Sequence, residues 1–291
     1  MSAAGFGPTR SIAGRTTIDV VTGAVHRRWT AAIVAVTAAV ALAAPVQPAA
    51  AAAECVVIGV LGAAPTVSDA VECARPTSPA STFKIPHALI ALQTGVIGAD
   101  TIVPWDGTKH DSTQWQRPHT VVSAIQWSAL PFFQRTARLI GRERMREQLA
   151  PLSFAADGFD GELTRFWLNG DLVVSPLEQY AFLQRFFAGR LPIDPAHVAT
   201  VRRALQMPPG QVTNASGSHP FVLAWPRPFV VYAKTGNASV DGERVSWLVG
   251  AVEYRGTQHV VVARVRAAGT LEGTAGLEAA RRGLDRFKPA R

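Results

Sequence analysis

Cysteine and lysine are the scarce residues of this 291-residue chain, and each shortage narrows what it can be. Cys55 and Cys73 are the only cysteines, which excludes a multi-thiolate cluster and a dense disulfide framework. No histidine stands at ligand spacing from them, so no metal is expected. Only four of the 29 basic side chains are lysines: Lys84, Lys109, Lys234 and Lys288. The rest are arginines, which stay charged up to a pKa of about 12 or more and cannot serve as neutral bases. A lysine in such a chain is therefore a candidate for chemistry that arginine cannot perform. The motifs G-x-S-x-G, P-loop, H-E-x-x-H and His-x-His-x-Asp are all missing, which removes support for lipase, NTPase and metallohydrolase functions.

What is present is a chain 48% hydrophobic, able to bury a large core, with a dispersed net charge of +8. The basic stretch Arg135, Arg138, Arg142, Arg144, Arg146 is interleaved with Glu143 and Glu147 and reads as a solvated helix face, so no nucleic acid is expected. Residues 1–53 read as a secretory signal with an extended n-region. His26-Arg27-Arg28 precedes the apolar Trp29–Ala44, and small residues then lead to Glu54. The apolar run falls short of the roughly 20 residues of a membrane span; a retained anchor is the alternative. The mature chain, 54–291, is expected to be exported to a secreted, periplasmic or cell-wall space, with no membrane attachment after signal removal. An oxidising compartment favours a Cys55–Cys73 disulfide over two free buried thiols, at the ends of a hairpin formed by Val56–Val60 and Ala70-Val71-Glu72.

Helical periodicity predicts helices over 85–94, 135–149, 176–188 and 195–205, and again over 273–287. After Pro228 the pattern changes. β-Branched runs at 229–233, 245–252 and 259–265, divided by Asp241-Gly242 and Arg255-Gly256, predict three successive antiparallel strands. The fold class is α/β of the α+β type: an antiparallel sheet flanked by terminal helices, with an all-helical sub-domain inserted over about 85–205.

Ser81-Thr82-Phe83-Lys84 opens a helix, and its i, i+3 spacing puts the hydroxyl beside the amine. A serine hydroxyl attacks only when a neighbouring base takes its proton, and a helix start offers N–H groups to a developing oxyanion. An N-cap serine with a solvated lysine is the alternative, and apolar Phe83, Ile85 and Pro86 oppose it. Lys234-Thr235-Gly236 is placed at the end of the 229–233 strand, where chance predicts about 0.03 occurrences of this tripeptide. A cation and a hydroxyl there can hold a substrate carboxylate, and Gly236 permits close backbone approach. Between the two motifs, Ser128 in Ser128-Ala129-Leu130 can relay a leaving-group proton.

S-x-x-K, a short serine element and K-T-G, in this order, resemble the penicillin-recognising serine enzymes. Ser78–Pro86, Trp105-Asp106-Gly107-Thr108-Lys109, Phe166-Trp167-Leu168, Ser175–Gln179 and Trp247–Gly250 are similar to the oxacillinase-type, class D serine β-lactamases over roughly residues 54–288. The resemblance implies hydrolysis of the β-lactam amide of penicillin-type antibiotics, and hence resistance, through an acyl-Ser81 ester. It makes Ser81, Lys84, Ser128 and Lys234 catalytic and places Thr235, Gly236, Asn237 and Leu130 against the substrate. Lys84 becomes carboxylated by CO2 or bicarbonate, the group's only cofactor, and is held by the Trp167 indole. The backbone N–H groups of Ser81 and Asn237 form the oxyanion hole. The implied partner is a small-molecule β-lactam, and the chain is expected to be a monomer or weak homodimer.

Four positions depart from the family pattern. Leu130 replaces valine, Phe154-Ala155-Ala156 replaces Tyr-Gly-Asn, Asn237 replaces an aromatic, and Glu278 replaces the arginine that pairs the substrate carboxylate. Arg281, or else Arg264 or Arg266, is the expected substitute. The alternatives to a hydrolase are a cell-wall D,D-peptidase and a β-lactam-binding homologue that is acylated and stays so.

Overall fold

A computed structural model describes residues 52–155 and 159–289; the expected leader, apart from Ala52 and Ala53, lies outside them. Its centre is a five-stranded antiparallel sheet in the order β2-β1-β7-β6-β5. The strands are β1 (Ala53–Val60), β2 (Thr66–Val67), β5 (Phe229–Val240), β6 (Glu243–Tyr254) and β7 (Thr257–Ala268). The two predicted turns join the last three. Asp241-Gly242 and Arg255-Gly256 all have positive φ, as the two-residue hairpin turns that match strand twist require. These strands are longer than the β-branched runs alone suggest. Lys234, Thr235 and Gly236 consequently lie inside edge strand β5 rather than at its end.

Both faces of the sheet are covered, which explains the nearly continuous apolar runs. Val245, Trp247 and Val249 of β6 join the larger core beneath the helical region, while Leu248 and Val252 join a second core under α8 (Ala275–Phe287). The helical region contains α2 (Lys84–Gln93), α3 (Val121–Gln126), α4 (Leu130–Ile140), α5 (Arg142–Leu149), α6 (Pro176–Phe187) and α7 (Pro195–Leu205). Thr120 and Ser175 start α3 and α6 with reciprocal capping boxes.

Three local expectations are corrected. Ala70-Val71-Glu72 is not a returning strand but part of α1 (Ala70–Ala74), because the Asp69 side chain caps the Glu72 N–H at 2.8 Å. Cys73 on α1 and Cys55 on β1 are disulfide-bonded. The single helix expected over 135–149 is two, divided at Gly141 with φ 82°. A short hairpin, β3 (Gln211–Asn214) with β4 (Gly217–Pro220), occupies a stretch left without regular structure by the sequence pattern. Among the described residues no helix is long and apolar enough to cross a membrane.

Candidate active site

A tight 3-10 turn, Ala80–Phe83, carries Ser81 and runs directly into α2, which begins at Lys84. Ser78, just before the turn, pins it from two sides. The Ser78 hydroxyl donates to the Trp167 carbonyl at 2.9 Å, and the Trp247 indole N–H donates to the Ser78 carbonyl at 3.0 Å. Edge strand β5 passes alongside at Gly236. A Cβ there would lie 3.0 Å from the Pro79 carbonyl oxygen and 3.1 Å from the Thr82 nitrogen, so glycine permits the approach of K-T-G to the serine turn.

Lys84 Nζ stands 2.6 Å from Ser81 Oγ and is 1% exposed. Burial, reinforced by the Lys234 charge, holds its amine well below the ordinary lysine value, a shift that favours the free base. The second lysine is equally buried; desolvation pushes Lys234 down to about 7. Its ammonium donates to Ser128 Oγ at 3.0 Å and to the Thr235 carbonyl at 2.9 Å. Ser128 sits between α3 and α4 with φ 53°, a left-handed backbone that is costly for serine and is held by its surroundings.

Ser81, Lys84 and Ser128 line one cavity of about 430 Å3, with walls that include Trp115, Leu130, Arg165, Leu168, Thr235 and Asn237; Lys234 reaches it through Ser128. The described lining contains no aspartate, glutamate or histidine. Among the described residues, the side chain positioned to take a proton from Ser81 is therefore the Lys84 amine. Asn214, Ala215 and Ser216, at the tip of the β3–β4 hairpin, also line it.

Beneath Lys84 lies a shell of buried rings. Its Nζ is 5.5 Å from the Phe133 centroid, and His87, one turn further along α2, is 5.1 Å from the same ring. Trp167 is fully buried, stacked on Phe83 at 5.8 Å and edge-on to His87 at 5.4 Å. The Trp167 Nε1–H has no hydrogen-bond partner among the described residues. Phe154 is buried against Phe83, and Ala156 lies outside the described residues.

The structure brings Ser81, Lys84, Ser128, Lys234, Thr235, Gly236, Asn237 and Leu130 together, while Trp167 is buried against Phe83 and His87. It does not bring the candidate carboxylate-binding arginines there. Arg281 is held on α8 between Glu278 and Asp285, each at 3.2 Å. Arg264 and Arg266 share the Glu72 carboxylate at 2.6 and 2.5 Å and tie α1 to the sheet instead. The guanidinium on the cavity wall is that of Arg165, exposed and without an acidic partner among the described residues. Arg165, Trp115, His87 and the hairpin tip were missed by sequence reasoning. Only His87 carried a visible signal, as the next member of the 81, 84, 87 spacing on one helix face.

Comparison with known proteins agrees with this geometry. Residues 61–284 match the family described as "Penicillin binding protein transpeptidase domain". The β-lactamase OXA-48 of Klebsiella pneumoniae is 32% identical over 176 residues, 60% of this chain and 60% of that protein. OXA-5 of Pseudomonas aeruginosa is 35% identical over 197 residues, 66% of this chain and 67% of that protein. The chain thus spans about two thirds or less of these relatives' own length. The crystal structure of a class D β-lactamase, YbXI from Nostoc, superimposes with a TM-score of 0.70 at 26% identity, covering 81% of this chain and 94% of that one. The chain belongs to the penicillin-binding transpeptidase-domain family and, within it, to the class D serine β-lactamases.

Proposed function

We propose that this protein hydrolyses the amide of β-lactam antibiotics through an acyl-Ser81 intermediate, after export to a compartment where those drugs act. The observation that carries this is the 2.6 Å Ser81–Lys84 contact inside a cavity whose described walls hold no carboxylate and no imidazole. Ser81 Oγ attacks the lactam carbonyl, and the negative charge on its oxygen is taken by the backbone N–H groups of Ser81 and Asn237. The ring nitrogen leaves with a proton relayed by Ser128, whose oxygen is held by the Lys234 ammonium. The Thr235 hydroxyl and Lys234 receive the substrate carboxylate, with Arg165 adding positive potential at the wall.

Hydrolysis of the ester needs a base that survives acylation. A carboxyl group added by CO2 to the Lys84 nitrogen supplies an anionic base beside Ser81. The residues present fit it: burial favours a neutral Lys84, as nucleophilic reaction with CO2 requires, and the Trp167 indole is a buried donor without a partner among the described residues. Trp167 would hold the group, and the Phe83, Phe133 and Leu130 side chains would keep bulk water from it.

The test is purified protein with a chromogenic cephalosporin, with and without bicarbonate, followed by intact mass. Many turnovers per enzyme, rising with bicarbonate, are expected. A stoichiometric adduct that persists would overturn the hydrolase reading and mark an acylated sensor or transpeptidase.

A further inference from the structure

Six buried side-chain nitrogen or oxygen atoms lack a hydrogen-bond partner among the described residues, and two of them belong to the cluster of rings that includes Phe133, the ring 5.5 Å from Lys84 Nζ. One is Trp167 Nε1; the other is His87 Nδ1. A buried polar atom without a partner costs free energy, so two adjacent ones in an otherwise tightly packed core mark a place prepared for a polar group. His87 is fully buried, and its ring is wedged between Phe133 and Trp167 at 5.1 and 5.4 Å. The proposed chemistry uses neither the ring nor its charge.

We infer that His87 is the second hydrogen-bond donor, beside Trp167, for a carboxyl group on Lys84, and so sets how tightly the protein retains CO2. This rests on the carboxyl-lysine reading above. A carboxylate has two oxygens, and a buried anion needs more than one donor to remain charged. Burial pushes His87 down to about 3, so the ring is neutral in working conditions and carries a single N–H. Its Nε2 is 3.1 Å from Thr136 Oγ1, whose hydroxyl donates to the Phe133 carbonyl at 3.1 Å and has to turn from it to donate to the ring. With that bond made, the ring proton resides on Nδ1, the atom that lacks a partner. The Lys84 amine forms an N–C bond to CO2 and releases one proton to solvent; His87 donates a hydrogen bond and transfers no proton.

The test follows the carboxyl group by 13C NMR as 13C-labelled bicarbonate is titrated into the wild type, His87→Phe and His87→Asn. Phenylalanine keeps the ring volume but has no donor, whereas asparagine keeps an N–H at the place of Nδ1. Loss of one hydrogen bond to a charged group predicts that His87→Phe needs at least about tenfold more bicarbonate for half-occupancy, with His87→Asn within about threefold of wild type. Formation of the Ser81 acyl adduct, read by mass, should be retained in both variants. An unchanged titration in a folded His87→Phe overturns the inference while leaving the carboxyl-lysine reading intact; absence of any carbamate signal in wild type sinks both. Should the phenylalanine variant not fold, 15N-histidine-labelled wild type decides. The His87 Nδ1 resonance must change on bicarbonate addition, and an unchanged one overturns the inference.

Discussion

Replacing Lys234 with methionine should make the protein more stable and nearly inactive. Lys234 is fully buried, and its pKa falls from 10.5 to about 7 on folding. A lysine with a depressed folded pKa binds its proton more weakly in the folded than in the unfolded chain, so it opposes folding wherever it is charged. At roughly 1.4 kcal/mol per tenfold change in proton affinity, the cost below pH 7 approaches 4–5 kcal/mol. Methionine fills similar volume without charge, but the bonds to Ser128 and the Thr235 carbonyl, about 1 kcal/mol each, disappear. A net gain of about 2 kcal/mol remains, or roughly 4–8 °C in Tm for a domain of this size. The gain should be largest at pH 6–7. It should then shrink by up to about 1.4 kcal/mol per pH unit towards pH 10, because the unfolded lysine stays protonated while the folded one does not. The assay is thermal and denaturant unfolding of both proteins across pH 6–10, beside kcat/KM, which should drop about 100-fold with the lost cation. A less stable methionine variant at pH 6–7, or a stability difference that does not vary with pH, would refute the reasoning.

Other positions give independent checks. Gly236→Ala should push a Cβ against the pinned backbone of Pro79 and Thr82 and shift Ser81 by a few tenths of an ångström. A loss of about tenfold or more in kcat/KM with little change in Tm is expected, and unaltered kinetics would show that the close approach is not needed. Exchanging Cys55 and Cys73 for serine together opens an 18-residue separation and should cost about 3 kcal/mol, seen as a lower denaturant midpoint with kcat unchanged at 25 °C. Arg165→Ala should raise KM for anionic penicillins a few-fold at low salt and by less at high salt, with kcat retained.

The strand and helix core of the fold was legible because its signals are local: β-branched runs, two Asx/Arg-Gly turns, and helices bounded by proline and glycine. Ser81, Lys84 and the K-T-G tripeptide were legible for the same reason, since spacing on one element fixes which side chains meet. What sequence could not supply was the partner across space. Arg264 and Arg266 looked available, yet α1, misread as a strand, presents Glu72 to both. Arg281 was placed by its distance from the expected arginine, but its own helix satisfies it through Glu278 and Asp285. Arg165 and the Asn214–Ser216 tip reach the cavity only through tertiary packing, and nothing in their local sequence announces it.

The central claim is that Ser81 is the nucleophile and Lys84 the base on which both acylation and release depend. Time-resolved intact mass with a penicillin, comparing wild type, Ser81→Ala and Lys84→Arg, tests it directly. The account predicts a transient adduct that maps to Ser81 in wild type, none in Ser81→Ala, and one that forms slowly and persists in Lys84→Arg. An adduct in Ser81→Ala, or wild-type turnover in Lys84→Arg, would contradict it.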